Sequence, residues 1–575
     1  MMKTVKTLLF ASLALFAACG KHDAPPDPAT AIYFGGDILT MEGDVPTYAE
    51  AVAVKGGTIS FVGAKAEALK QQGAGTTLVD LQGKTLMPGL IDPHLHPILG
   101  SVILNTKFAS PFDWIFPWGD AKAVLGHEAF MARLIAYHKE PGDPLEPLVV
   151  WGYMEPFHGV MSRKVLDGVS TTRPIIVWQY SAHEMFFNTA ALDFYGLNEA
   201  ETRGNKQIDW KLGRYWEAGF FTVALPKLAP SLMGKEAMQA GLERFRDVTH
   251  QGGVTTVGDM ATGSSGDLDG DVKMMAAALE NEDTPFRVQL TPDVNTLGLQ
   301  LGDGDEVLAF VKELPKRNSP HLAFGGNIKL FSDGAFFGQA MQLEAPGYKD
   351  GHHGDWIMEP ERLRKTMKLW WDQGYTIHIH CNGSLGLTVI LDALEMLQKE
   401  NPRQDHRLTI EHFGVSTAEQ ARRIAALGAV VSANPYYMYS MADKFAGGNL
   451  DQTRASEIVR SGSLLENKIP FAFHSDFTMA PIQPLLLAWI AVNRVTAEGT
   501  VMAPDQKIPA YNALQAITSN AAYVLRLDDK VGSIKAGKSA DFVVLGENPL
   551  KVDSMRIRDI RVLETVYEGK SFPLP

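Results

Sequence analysis

Between residues 86 and 476, short apolar runs alternate with helical stretches, the pattern of strands followed by helices. Eight runs stand out: LMPGLIDPHLH, GVTTVGDM, FRVQLTPD, NIKLFSDG, YTIHIHCN, RLTIEHFG, AVVSANP and PFAFHSD. Eight such units predict an α/β fold, a (β/α)8 TIM-like barrel over residues 89–528, with its active site at the C-terminal ends of the strands. A further run, RPIIVWQYSAH, falls between the first and second, inside a segment from about Gly100 to Gly252. That segment is too long for a βα connection and reads as an inserted region over the barrel mouth.

The two ends of the chain carry a different pattern. AIYFGGDILTM, AVAVKGGTISFVG and TTLVDLQGKTLMPG lie ahead of the barrel; GSIKAGKSADFVVLGENP and IRVLETVYEGKSF follow it. These are β-like pieces broken by Gly pairs and turns, so residues 31–88 and 529–575 are expected to build one small β-sandwich from both termini. No repeat of solenoid type is present in the sequence.

Composition narrows the class. The 575 residues are 45% hydrophobic and 21% charged, ordinary for a soluble globular protein. The net charge of −13 comes with no basic block, which leaves binding to nucleic acid or to an anionic membrane surface without a basis and favours a small-molecule partner. The first residues, MMKTVKTLLFASLALFAACG, carry Lys3 and Lys6, an apolar run from Leu8 to Ala18, and then Cys19 ahead of a Pro-rich spacer. This resembles a bacterial lipoprotein signal, implying a signal peptide over residues 1–18, a linker over 19–30 and a lipid anchor on Cys19. An ordinary cleaved secretory peptide is the alternative, and in either case the chain leaves the cytoplasm. The run is too short to span a membrane in the mature protein. Gly20 and Lys21, in place of an Asp, favour the periplasmic face of the outer membrane. Cys381 is the only other cysteine, so no disulfide framework is expected.

The chemistry lies at the strand ends. Residues i and i+2 of a strand face the same way, so His94 and His96 point together into the barrel and can chelate one ion. Lys329 falls in the fourth run, His380 and His412 near the ends of the fifth and sixth, and Asp476 at the end of the eighth. A lone histidine is more often packed than ligating; metal-ligand types recurring at successive strand ends point to a metal centre. For Lys329 a surface or ion-paired lysine is the plain alternative, and for Asp476 a helix N-cap in SDFTMAPIQPL.

This order of residues resembles the amidohydrolase superfamily, over about Ala31 to Gly569. DLQGKTLMPGLIDPHLH, RPIIVWQYSAHEMFFNTAAL, GGNIKLFSDG, RLTIEHFGV, FAFHSDFTMAPIQPL and VGSIKAGKSADFVVLGENPL are similar to its amidohydrolase-3 branch, which includes N-substituted formamide deformylases. The resemblance implies two divalent metals, most simply Zn²⁺, with His94, His96 and Asp476 on the more buried ion and His380 and His412 on the second. It implies that Lys329 bridges them as a carbamate. Such ions lower the pKa of a bound water to about 7 and polarise a carbonyl. Asp476 then serves as the general base in hydrolysis of an amide-like C–N bond, and His183 in YSAHEMFFN contacts substrate, with Asn188 at the family's spacing.

Two departures touch the pocket. HCNGSLG replaces the usual Gly-Asp after the fifth-strand histidine, and the segment DGAFFGQAM, from Asp333, is bulkier than usual. Phe108, Phe112, Trp114, Phe116 and Trp118 either line the pocket of a large apolar substrate or fill a core. Two other functions stay open: a metal-dependent esterase or lactonase using the same ligands, and a non-catalytic periplasmic binding protein. The latter predicts lost ligands, and none is missing.

Overall fold

The computed structural model describes residues 28–143 and 145–575. The signal peptide, Cys19 and most of the linker lie outside the described residues. No described helix is long and apolar enough to cross a membrane.

Both ends of the chain enter one eight-stranded mixed sheet. The C-terminal strand Phe542–Leu545 pairs antiparallel with Thr85–Pro88 from the front of the chain. Ala31–Leu39 divides the sheet: its first half pairs with Thr77–Asp80 and its second with Thr85–Pro88, with a register break between Phe34 and Ile38. The Gly pair of the sequence sits at that break because nothing larger fits there. Gly35 has φ +79°, and a Cβ on it would lie 2.2 Å from Asp80 Oδ1. Tyr33, Val52, Leu86, Phe542 and Val566 form the apolar core under this sheet.

The eight predicted runs supply eight of the nine strands that form two parallel sheets. The first holds β1 (Leu90–Leu95), β2 (Val254–Thr262), β3 (Arg287–Pro292) and β4 (Leu322–Phe324). The second holds β5 (Asn327–Phe331), β6 (Thr376–Cys381), β7 (Thr409–His412), β8 (Val430–Ala433) and β9 (Phe471–Phe473). Strand β4 is the one that run-reading passes over. It is three residues long, and Gly325 and Gly326 separate it from β5, so the two read as one interrupted strand whose halves pair with different neighbours. The first run is in turn two strands: Thr85–Pro88 belongs to the terminal sheet and β1 to the parallel one, with a turn of course at Gly89, where a Cβ would meet Thr255 Oγ1 at 2.0 Å.

The edges of the two parallel sheets approach at both sides. Asp293 and Lys329 form a parallel bridge next to β3 and β5. At the other side the Asp476 N–H donates to the His94 carbonyl at 2.9 Å, and the Ser475 N–H to Asp92 Oδ1 at 3.1 Å. Strands buried on both faces explain why these runs are near-continuously apolar in sequence.

Between β1 and β2 the chain builds a six-stranded sheet. Lys107–Phe108, Leu148–Tyr153 and Ile175–Gln179 run parallel; Glu184–Phe187, Arg214–Trp216 and Ile208–Asp209 complete it antiparallel. Its aromatic cluster is packing: Phe108, Phe112, Trp114 and Phe116 are buried against Trp151, Tyr180, Tyr436 and Phe477, and only Trp118 is well exposed. Asn188 is a structural residue, buried and capping the helix Thr189–Phe194 by accepting the Ala191 N–H.

The terminal sheet is fastened to the parallel strands by Arg287 of β3, which ion-pairs with the buried carboxylate of Asp541 and, at 3.3 Å, with the exposed Glu568. Asp541→Ala leaves this largely buried guanidinium with only the exposed partner. The expected cost is about 3 kcal/mol, measured as a lower denaturation midpoint with the metal-site residues undisturbed.

Candidate active site

Three strands each present a pair of polar side chains two residues apart: His94 and His96 at the end of β1, His378 and His380 in β6, and His474 and Asp476 just past β9. The period of two puts each pair on one side of its strand. From β7 come Glu411 and His412. His94, His378, Glu411, His412 and His474 are all at most 1% exposed, and Lys329 in β5 is fully buried.

The strand ends are bent to aim these groups. His412 has φ +73° and Asp476 φ +53°, both in the left-handed region that non-glycine residues rarely occupy. Hydrogen bonds hold them there: the Asp476 N–H to His94 O at 2.9 Å, and the Asn434 N–H to His412 O at 3.1 Å. No helix begins at Asp476; the next starts at Pro484, so the carboxylate is free of a capping role.

Asp476 is the meeting point. Its Oδ1 lies 3.1 Å from His96 Nε2 and 3.6 Å from His94 Nε2, and its Oδ2 lies 3.6 Å from His412 Nδ1. The His380 ring lies beside His412 with centroids 4.4 Å apart, and Asn382 Nδ2–H donates to His380 Nε2 at 3.0 Å. Buried Asp333 fixes the loop that carries Asn382 by accepting the backbone N–H groups of Gln342, Asn382 and Gly383.

Two trios bring ligand atoms within 4.8 Å of one another: His94, His96 and Asp476, and His94, His412 and His474. Buried His94 Nε2, His412 Nε2 and Lys329 Nζ have no hydrogen-bond partner. Buried polar atoms normally find partners. Orphaned imidazole nitrogens around a carboxylate are what a cation with N and O ligands completes, so these residues fit a divalent metal.

The electrostatics agree. Burial, and then the charge of Lys329, hold the His94 imidazole well below its usual pKa; burial and neighbouring His380 do the same to His412, and His380 is brought down to about 3. Neutral imidazoles are the ligating form. Burial alone would raise the Asp476 carboxyl, yet the bond to His96 and the surrounding cationic groups bring it below the ordinary range. Burial lowers Lys329 to about 8.

The amidohydrolase family profile matches residues 77–572. The chain belongs to the amidohydrolase family. Membership makes it a metal-dependent hydrolase acting on C–N bonds. It is 25% identical to the N-substituted formamide deformylase of Arthrobacter pascens over 93% of this chain and 97% of that protein. It is 26% identical to the protein LONG AFTER FAR-RED 3 of Arabidopsis thaliana over 93% and 90% of the two chains. In fold it is similar to the crystal structure of a metal-dependent hydrolase from Pyrococcus horikoshii, with a TM-score of 0.69 at 20% identity, covering 91% of this chain and 99% of that one.

In this amidohydrolase the structure brings His94, His96, His380, His412 and Asp476 into one cluster. Lys329 is buried on the neighbouring strand and carries no ion pair, which removes the salt-bridge alternative. His183 stands apart. It is about one-third exposed, and its Nδ1–H donates to Glu217 at 3.1 Å, with the Phe221 ring edge against it. The site residues passed over in sequence are His378, Glu411 and His474. The signal for them is the same two-residue spacing that exposed His94 and His96, repeated in HIH and HSD, together with the acid beside His412 in IEH.

Burial works against a charged His183, but Glu217 outweighs it and holds the imidazole above its ordinary pKa, while His183 holds the Glu217 carboxyl below its own. The stability this pair contributes is therefore complete below the ordinary histidine value, is lost as pH rises through the raised value, and is also lost as pH falls through the lowered Glu217 value. In Glu217→Gln burial is opposed only by the field of Asp476, so the His183 titration midpoint is expected to fall relative to the wild type. NMR titration of the His183 ring in both proteins checks this; an unchanged midpoint contradicts it.

Proposed function

We propose that this protein is a dinuclear, zinc-dependent amidohydrolase of the periplasm that cleaves the C–N bond of a small, apolar N-acyl or cyclic amide. The observation that carries the reading is the convergence of His96 Nε2, the orphaned His94 Nε2 and His412 Nδ1 on the ionised Asp476. His94, His96 and Asp476 would hold one ion, and His380 and His412 the second. The similarity to a deformylase of N-substituted formamides supports an amide carbonyl on the substrate. The two parallel sheets are taken as one (β/α)8 barrel whose seams are the Asp476–His94 bond and the Asp293–Lys329 bridge, with the terminal sheet as its composite sandwich.

When bound, the metal pair supplies an activated water at neutral pH and polarises the scissile carbonyl. Asp476, ionised at neutral pH and touching His96, accepts the proton of the attacking water and passes it to the leaving nitrogen. Protonated His183, held by Glu217 at the partly exposed edge, donates a hydrogen bond to the acyl portion of the substrate. Lys329, with its pKa lowered to about 8, has a neutral amine fraction near pH 7–8 that can add to CO₂. The N–C bond forms, one proton leaves, and the resulting carbamate would offer carboxylate oxygens as metal ligands.

Purified protein is expected to hold about two divalent ions per chain and to lose hydrolysis on chelation; absence of transition metal with activity intact in chelator refutes the metal reading. Asp476→Asn keeps the size and one oxygen but removes the base. Its kcat on an active amide should fall by roughly 10²–10⁴-fold. Near wild-type kcat at full metal occupancy excludes Asp476 as proton carrier, and turnover of esters or lactones without amides reassigns the bond that is cleaved.

The lipoprotein signal places the chain on the periplasmic side of the outer membrane, anchored through Cys19. Cys19→Ser should release the protein from the membrane fraction or leave it unprocessed. Identical fractionation of the two proteins, with no labelled lipid on the wild type, removes the anchor.

A further inference from the structure

Beneath the proposed ligands lies a layer of buried polar groups that touches neither solvent nor the rim. Glu411 is its centre and is 0% exposed. Its Oε2 lies 2.7 Å from His94 Nδ1, its Oε1 lies 2.6 Å from His378 Nδ1, and His474 Nδ1 is 3.5 Å from Oε2.

Each Glu411 oxygen lies at hydrogen-bond distance from one imidazole Nδ1, and the pairing that uses both oxygens as acceptors has each of these ring nitrogens donate. His94 is therefore protonated at Nδ1, and its Nε2 keeps a bare lone pair. That nitrogen is buried without a partner and faces Asp476 Oδ1 at 3.6 Å. A similar line of contacts runs toward His412. His474 Nδ1 has Ser432 Oγ at 2.7 Å as well as Glu411, and its Nε2 lies 3.3 Å from His412 Nδ1. With the His474 proton on Nδ1, its Nε2 accepts from His412 Nδ1–H, and the orphaned His412 Nε2 is left bare.

We infer that Glu411 is a positioning residue that sets the tautomer of His94, so that its Nε2 is presented unprotonated to the metal. The assignment deepens the metallohydrolase reading above and rests on it for the identity of the ligand acceptor. Glu411 contacts neither substrate nor ion, because both of its oxygens are spent on imidazole N–H groups.

The variant that isolates this role is Glu411→Gln. It keeps the volume and one acceptor oxygen, but its NH₂ faces one of the two imidazoles with a donor. That ring must turn or move its proton to Nε2, where it blocks the ligand lone pair. In whole, folded enzyme the affinity for Zn²⁺, measured by competition with a chromophoric chelator, should fall by about 10–100-fold. Glu411→Asp, which can only accept, should recover part of it. The second readout needs neither metal nor activity. In metal-free wild-type protein labelled with ¹⁵N-histidine, with resonances assigned by His→Asn substitutions, His94 and His378 should show the Nδ1–H tautomer, and one of them should shift toward Nε2–H in Glu411→Gln.

An Nε2–H tautomer for His94 in the metal-free wild type overturns the inference even if the variant fails to fold. Unchanged Zn²⁺ affinity in a folded variant whose His94 has shifted toward Nε2–H also overturns it. If the wild type binds no metal at all, the functional reading fails, while the tautomer spectrum still decides the role of Glu411.

Discussion

The hydrogen bond from the Asp476 N–H to the His94 carbonyl is the seam on which the site depends. It joins the segment after β9, near the end of the catalytic strands, to β1 at their start. Without that contact the pair His94 and His96 would have no carboxylate opposite it, since no other residue within hydrogen-bonding reach of both is present in the cluster of described residues. The neighbouring bond from the Ser475 N–H to Asp92 Oδ1 doubles the seam with a fully buried carboxyl, whose pKa burial raises to about 7. Holding Asp476 at φ +53° has a conformational cost, and the seam is what offsets it.

Once the seam brings the strand ends together, charge balance governs what can be buried there. Isolated ions are expelled from protein interiors unless they are paired. Lys329, Glu411 and Asp476 are each buried and interact through their fields, and the imidazoles among them are driven neutral. The arrangement leaves several lone pairs and one amine unsatisfied. In a stable core this would be a fault; these are atoms that a bound cation would satisfy.

The inserted sheet solves a different problem. Its apolar face needs covering, and the aromatic residues from Phe108 to Phe116 supply this by packing on Tyr180, Tyr436 and Phe477. Because Phe477 follows Asp476 directly, the wall that stabilises the insertion also braces the seam. The polar rim group His183–Glu217 comes from the same insertion, so support and the proposed substrate contact share one inserted region.

Much of this was legible in sequence for a local reason. Strand periodicity, Gly breaks and the position of a polar residue at the end of an apolar run are short-range properties, and they located His94, His96, His380, His412 and Asp476 together with the strand order. Other features were not local. Strand β4 is too short to show a period, and the aromatic run carried no sign of whether it faced a pocket or a core. Glu411 is 317 positions from His94 and 33 from His378, and nothing in the spacing of IEH says which imidazoles it will meet. Glu217 likewise meets His183 across 34 positions of irregular chain. The sequence by itself determined which residue types stand at which strand ends, because backbone alternation is dictated by neighbours in the chain. Only the tertiary structure decided which nitrogen of each ring is free and which carboxylate faces it, because those contacts exist only after distant strands have been brought edge to edge.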